Sequence, residues 1–174
     1  MKRFAFHRTL VLFLGMLLPG ILLSQETVED QARKLLEKYK SSLVVVTAKG
    51  VLKATTSGEP LPDRDQQRRT LGVTIGDDGL IMVSNTAIDP SIGLKGQQAQ
   101  MGEKVVEIKT AATTFSGVEI SYGDTSTLPG KIVRQDLEAD VAFIMPDQAE
   151  AKKLNKVFDK VDLSQFAATA QAAD

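Results

Sequence analysis

TLGVTIGDDGLIMVSNTAI, residues 70–88, is the stretch on which the fold turns. Thr70–Ile75 and Leu80–Ser84 are two short β-branched, apolar runs around Gly76-Asp77-Asp78-Gly79. An Asp-Gly pair supplies residues that tolerate positive φ, which a tight hairpin requires. The segment therefore predicts strand, turn, strand, followed by a helical turn over Asn85-Thr86-Ala87-Ile88 that Pro90 ends. Asp77 and Asp78 offer oxygen ligands, but the further carboxylates of a calcium loop are missing at suitable spacing. A second stretch, DTSTLPGKIVRQDLEADVAFIMPD at 124–147, carries two more strands, Lys131–Arg134 and Val141–Met145. The latter is an unbroken apolar run, as suits a strand covered on both faces, and Pro146 closes it.

Working outward, Leu43–Ala48 reads as a strand, and Lys49–Arg69, with Gly50, Gly58, Pro60 and Pro62, as a loop. Within it Arg64, Arg68 and Arg69 alternate with Asp63 and Asp65, the pattern of a solvated surface. Asp89–Gly102 is Gly- and Gln-rich and reads as loop; Val105–Phe115 and Val118–Tyr122 read as strands. Many short strands between turn signals argue for an antiparallel barrel or sandwich. Ahead of them, Val28, Ala32, Leu35, Leu36 and Tyr39 fall on one helical face, with Thr27 and Asp30 placed as a capping pair. This helix is expected to lie as a lid on the end of the barrel. After Pro146 the pattern changes to helix or irregular tail, and Ala167–Asp174 is low in complexity.

Residues 1–24 have the form of an export signal: Lys2, Arg3 and Arg8, then an apolar run over Thr9–Leu23 that is shorter than the roughly 20 residues of a membrane span. Membrane attachment is expected only if that signal stays uncleaved. Its removal takes three basic residues and no acidic one, moving the formal charge from −1 to −4. A mildly acidic chain without a basic cluster gives no footprint for nucleic acid. There is no cysteine, which excludes disulfides and thiolate metal sites. The one histidine, His7, lies in the signal, so the exported chain has no imidazole, the commonest general base near neutral pH. No cofactor and no metal is expected.

The two quoted stretches resemble the N-terminal barrel of the trypsin-like serine proteases, most closely the bacterial HtrA/Deg type. In Gly79-Leu80-Ile81-Met82-Val83-Ser84-Asn85 the chain follows the strands that deliver the family's histidine, and that position falls on Thr86. In Asp136-Leu137-Glu138-Ala139-Asp140-Val141-Ala142-Phe143-Ile144 the family's aspartate position falls on Asp140. The resemblance implies a mainly β fold: a single antiparallel β-barrel of the chymotrypsin type over 43–147, with a helical segment at 25–42 and a tail at 148–174. It spans roughly residues 30 to 147.

The catalytic triad the resemblance implies is not intact. Thr86 stands for the base, and a neutral hydroxyl cannot take up a further proton at neutral pH. After Asp140 the only serine is Ser164, and no glycine follows Gly130, so the family's glycine-rich serine turn and second barrel are missing. Ser57-Gly58 and Ser116-Gly117 precede the aspartate and read as loop and turn. Asp140 is then expected to accept backbone N–H bonds at a strand entry. The resulting expectation is a periplasmic or secreted, catalytically inactive protease-fold protein. It would bind a protein partner, or itself, through the barrel face that a second barrel would cover. The alternatives are the leading fragment of a truncated protease and, less favoured, a peptidase completed in trans.

Overall fold

The computed structural model describes residues 27–57 and 59–164; the signal segment and Ala167–Asp174 lie outside them. Helix α1 (Val28–Tyr39) and a 3-10 turn (Lys40–Ser42) lead into β1 (Leu43–Thr55) and β2 (Arg64–Thr74). Strand β3 (Ile81–Ser84) runs into the single-turn α2 (Asn85–Ile88). A separate hairpin follows, β4 (Gln98–Met101) with β5 (Lys104–Glu107). Then come β6 (Thr110–Tyr122), β7 (Thr127–Asp136), β8 (Val141–Pro146) and α3 (Gln148–Lys153). Six strands close into an antiparallel barrel in the order β1-β2-β3-β8-β7-β6, with β6 returning to β1. Closure leaves no free sheet edge where the ladders are complete, which satisfies the backbone polar groups of every strand there.

Alternation produces the core. In β1, Val44, Val46 and Ala48 point inward, while Leu43, Val45 and Thr47 are half-buried on the outside. Ile81, Ile120, Leu128 and Ile144 are essentially inaccessible and meet along the barrel axis. Each such side chain contributes roughly 1.5–3 kcal/mol by leaving water.

The turn at 76–79 forms as predicted. Gly79 has φ +81°, and Asp78 Oδ1 accepts the Leu80 N–H at 3.1 Å. Asp77 is paired with Lys160 at 2.6 Å. Both carboxylates thus serve the turn and its neighbour.

Four expectations are corrected. Lys49–Arg69 is mostly strand: β1 runs on to Thr55 and β2 begins at Arg64, paired from Leu43↔Val73 to Leu52↔Arg64. Gly50 there marks a bulge, not a loop. β1 comes so near β6 at this point that a Cβ would stand 2.6 Å from the Thr114 carbonyl oxygen. The polar side chains of β2 are solvated on a ladder held by its backbone, so the absence of an apolar pattern misleads. Second, the boundaries over 89–122 differ: Gln98–Met101, inside the expected loop, is β4; Val105–Phe115 is split, β5 ending at Glu107 and β6 starting at Thr110, because Ile108 bonds back to Gln97 and Gly96; and Ser116-Gly117, expected as a turn, lie within β6. Third, β8 is fully covered on one face and only partly on the other. Val141, Phe143 and Met145 look outward, half-buried, and the run is apolar because it belongs to an outer row described below. Fourth, α1 is not a lid. None of its residues is buried, and Leu35 and Leu36 are each 56% exposed. Thr27 caps it as expected, its Oγ1 accepting from the Asp30 N–H at 3.2 Å.

The segment after α3 belongs to the barrel. Residues 154–161 cross its end as a strap: the Val161 N–H reaches the Thr74 carbonyl at 2.9 Å, extending the rim of β2. Phe158 packs on the core beside Tyr122, ring centroids 5.9 Å apart, and lies over Gly79, where a Cβ would be 2.8 Å from the ring.

Candidate functional site

Thr86 and Asp140 are 54 positions apart in the chain and in direct contact in the fold. Each is delivered by local geometry. Ser84 ends β3 and caps α2, its Oγ accepting from the Ala87 N–H at 3.3 Å, which turns the chain so that Thr86 faces the β7–β8 connection. On the other side, Asp136 Oδ1 accepts from the Glu138 and Ala139 N–H groups at 3.1 and 3.0 Å. That tight connection leaves Asp140 at φ +52°, a left-handed conformation that Asp tolerates better than most residues.

The carboxylate of Asp140 is fully engaged. Oδ1 accepts the Thr86 N–H at 2.8 Å. Oδ2 accepts Ser84 Oγ at 2.7 Å and Thr86 Oγ1 at 3.1 Å. The main-chain carbonyl of Asp140 takes the Asn85 N–H at 3.1 Å. The Thr86 N–H bond, and then the Ser84 hydroxyl, hold the carboxyl below its ordinary pKa. A carboxylate with lowered proton affinity is a poor base for either hydroxyl that touches it. Ser84 is a member of this cluster that the sequence marked only as a strand end; its signal was the N-cap preference for serine before a helical turn.

Asn85, beside Thr86, is fully buried. Its Oδ1 accepts Gln135 Nε2 at 2.7 Å, while its Nδ2 has no hydrogen-bond partner among the described residues. Ser164 is held within its own turn, its Oγ donating to Asp162 Oδ1 at 2.7 Å. Ser116 is the extra residue of the β6 bulge, between Phe115 paired with Gly50 and Gly117 paired with Lys49.

A second polar cluster lies under the strap. The Lys156 side chain, 11% exposed, donates to Asp124 Oδ2 at 2.5 Å and Ser126 Oγ at 3.0 Å, and its ammonium sits 4.2 Å from the Tyr122 ring centroid. The Lys156 bond, then those from Ser126, hold Asp124 well below the usual carboxylate range. Burial, with a smaller contribution from the Asp124 charge, pushes the Tyr122 phenol up to about 12. Its hydroxyl has no partner among the described residues. These groups fix the strap to the barrel. Among the described residues no group of three or more His, Cys, Asp or Glu side chains is gathered that could hold a metal ion.

No protein-family model matches this chain, and no curated protein matches it.

Proposed function

We propose that this chain is an exported, catalytically inactive protein with one barrel of the trypsin-like, HtrA-like kind, acting as a binding or scaffolding module. The closed six-strand antiparallel barrel is compatible with one half of that fold. The observation that carries the reading is the contact between Thr86 and Asp140. At the positions where the family has its histidine and aspartate, a threonine hydroxyl and amide occupy the carboxylate that would orient an imidazole. Residues 27–164 hold no histidine that could take the place of Thr86 beside Asp140.

The outer wall of the barrel supports a role in binding. Leu43, Val73, Met82 and Phe143 are successive ladder partners across β1, β2, β3 and β8, forming one apolar row on the outside. Leu71, paired with Val45 in the next row, is 65% exposed. A contiguous apolar surface of this kind marks an interaction site for a protein partner.

The test is chemical. Residues 25–174, purified, are exposed to a fluorophosphonate probe and to a mixture of unstructured peptides. No labelling and no cleavage is expected, alone or after addition of extract from the source envelope. Labelling of a serine of this chain, or cleavage that copurifies with it, would overturn the reading. Labelling of a different chain in complex with this one would favour completion in trans.

A further inference from the structure

We infer that two copies of this chain associate edge to edge through the Thr110–Phe115 segment of β6. The barrel is closed, but β6 outruns its closure. β7 pairs with β6 only from Val118 to Ser121, whereas β1 pairs with it along its whole length, to Thr55↔Thr110. Thr110–Gly117 therefore has a ladder on one side and, among the described residues, no strand on the other. In a strand the main-chain groups point alternately to the two sides, so half of those in this segment face outward unpaired by a ladder. Such an edge is a ready template for another strand.

Composition and length together separate this edge from the others: β4, Gln98–Met101, is uncharged too but only four residues long. β2 is also open, from Arg64 to Gly72, since β3 reaches only Val73 and Thr74. Its open part carries Arg64, Asp65, Arg68 and Arg69. The open side of β7 beyond Gly130 carries Lys131, Arg134 and Asp136, and the short β5 carries Lys104 and Glu107. Charges on an edge discourage pairing with a foreign strand. Thr-Ala-Ala-Thr-Thr-Phe-Ser-Gly, 110–117, has no ionisable side chain and no proline. It is rich in threonine, which favours strands. Within this long edge, the bulge at Ser116 sets the limit of regular pairing at Phe115.

The occupant that fits is the same segment of a second copy. A two-fold axis normal to the sheet at Thr113 keeps each side chain on its own face and pairs Thr113 with Thr113 of the second copy. Ala111 then opposes Phe115, small against large, on the half-buried face. Ala112 opposes Thr114 on the exposed face. Every pair is neutral, so no like charges meet, and the contact is isologous and closes at two copies. A five-residue ladder is small for a stable dimer, which places the association in the weak class. The inference concerns the edge only and stands apart from whether the barrel is catalytically silent.

The experiment measures mass by light scattering for residues 25–174 across concentration up to about 1 mM, the range in which weak contacts still register. The expected result is a mass that rises towards twice the monomer value and no further. Two exposed positions supply the variants. With Ala112→Lys and Thr114→Lys together, ammonium groups face each other across the two-fold axis twice, and the protein is expected to remain monomeric. With Ala112→Lys and Thr114→Glu together, opposite charges face each other, and the rise in mass is expected to return. Amide hydrogen exchange over 110–115 should slow with concentration in the wild type and not in the doubly lysine variant. Equal circular dichroism and melting of dilute samples establishes that both variants fold. Four results overturn the inference: a wild type monomeric at the highest concentration, an open-ended series of larger species, association undiminished in the doubly lysine variant, or no recovery in the charge-paired one.

Discussion

Replacing Tyr122 by Phe should stabilise this protein, the reverse of what a well-bonded buried tyrosine would give. Tyr122 is 8% exposed, in the barrel core, and its hydroxyl oxygen has no hydrogen-bond partner among the described residues. A buried polar group left unpaired costs about 1–3 kcal/mol in lost hydration. Phenylalanine removes that cost and keeps the ring that packs against Phe158 and lies under the Lys156 ammonium. Allowing for the small void left by the oxygen, the expected gain is about 1 kcal/mol at pH 7. For a domain of this size that raises Tm by roughly 2–4 °C. The pH dependence adds a second readout. Burial raises the Tyr122 phenol to about 12, against an ordinary value of about 10. A group raised in the folded state contributes stability that is complete below the unfolded value and is lost as pH climbs through the folded one. The wild type should therefore lose stability between about pH 10 and 12, and Tyr122→Phe should lose less, so the gap between them widens. Urea unfolding followed by circular dichroism at pH 7 and at several alkaline values measures both effects. Both proteins should carry Tyr39→Phe so that no second phenol contributes. A Tyr122→Phe variant less stable than wild type by about 1 kcal/mol would refute the reasoning, because it would mean that the hydroxyl is bonded after all.

Three further outcomes are expected. Asp140→Asn, which keeps the tolerance for a left-handed backbone, should lower Tm at pH 7 by weakening the bonds from Ser84 and Thr86. Asp140 is lowered in the folded state, so its stabilising effect is present above the unfolded value near 3.9 and fades as pH falls through the lower folded one; melting curves of wild type and variant should converge in acid. Gly79→Ala combines a positive φ of +81° with a Cβ 2.8 Å from the Phe158 ring and should cost about 2 kcal/mol or more, read by urea unfolding. Leu35→Glu with Leu36→Glu should change the stability of the barrel by less than about 0.5 kcal/mol in the same assay, since neither side chain is buried; a larger loss would mean that α1 is docked.

How much of this was legible in the sequence depended on the range of the interaction. The turn at Gly76–Gly79, the cap at Thr27 and the short helical turn at Asn85–Ile88 are decided by neighbouring residues, and all three form where the sequence puts them. The added strand at Lys49–Thr55 and Arg64–Arg69 was hidden because its partners lie elsewhere in the chain: Gly50 reads as a loop signal until Thr114 is seen against it. The alternation over β8 was masked because both faces are apolar, one for the core and one for the outer row with Met82 and Val73. Helix α1 has the stripe of a packed helix but none of its residues is buried, so amphipathic spacing alone did not locate a surface for it. At the site, Thr86 and Asp140 could be paired only through a resemblance, while Ser84 was open to the capping argument. The cluster of Lys156, Asp124 and Tyr122 joins residues about 30 positions apart and gave no local signal.

The strap has a consequence for the order of events in folding. The first strand finds its final neighbour only when β6 exists, and the rim opposite is sealed only when Phe158 and Val161 arrive. A lobe built from such distant pairings folds slowly. Phe158 and Val161 follow all eight strands in the chain, so the rim they cover stays open until every strand of the barrel is in place.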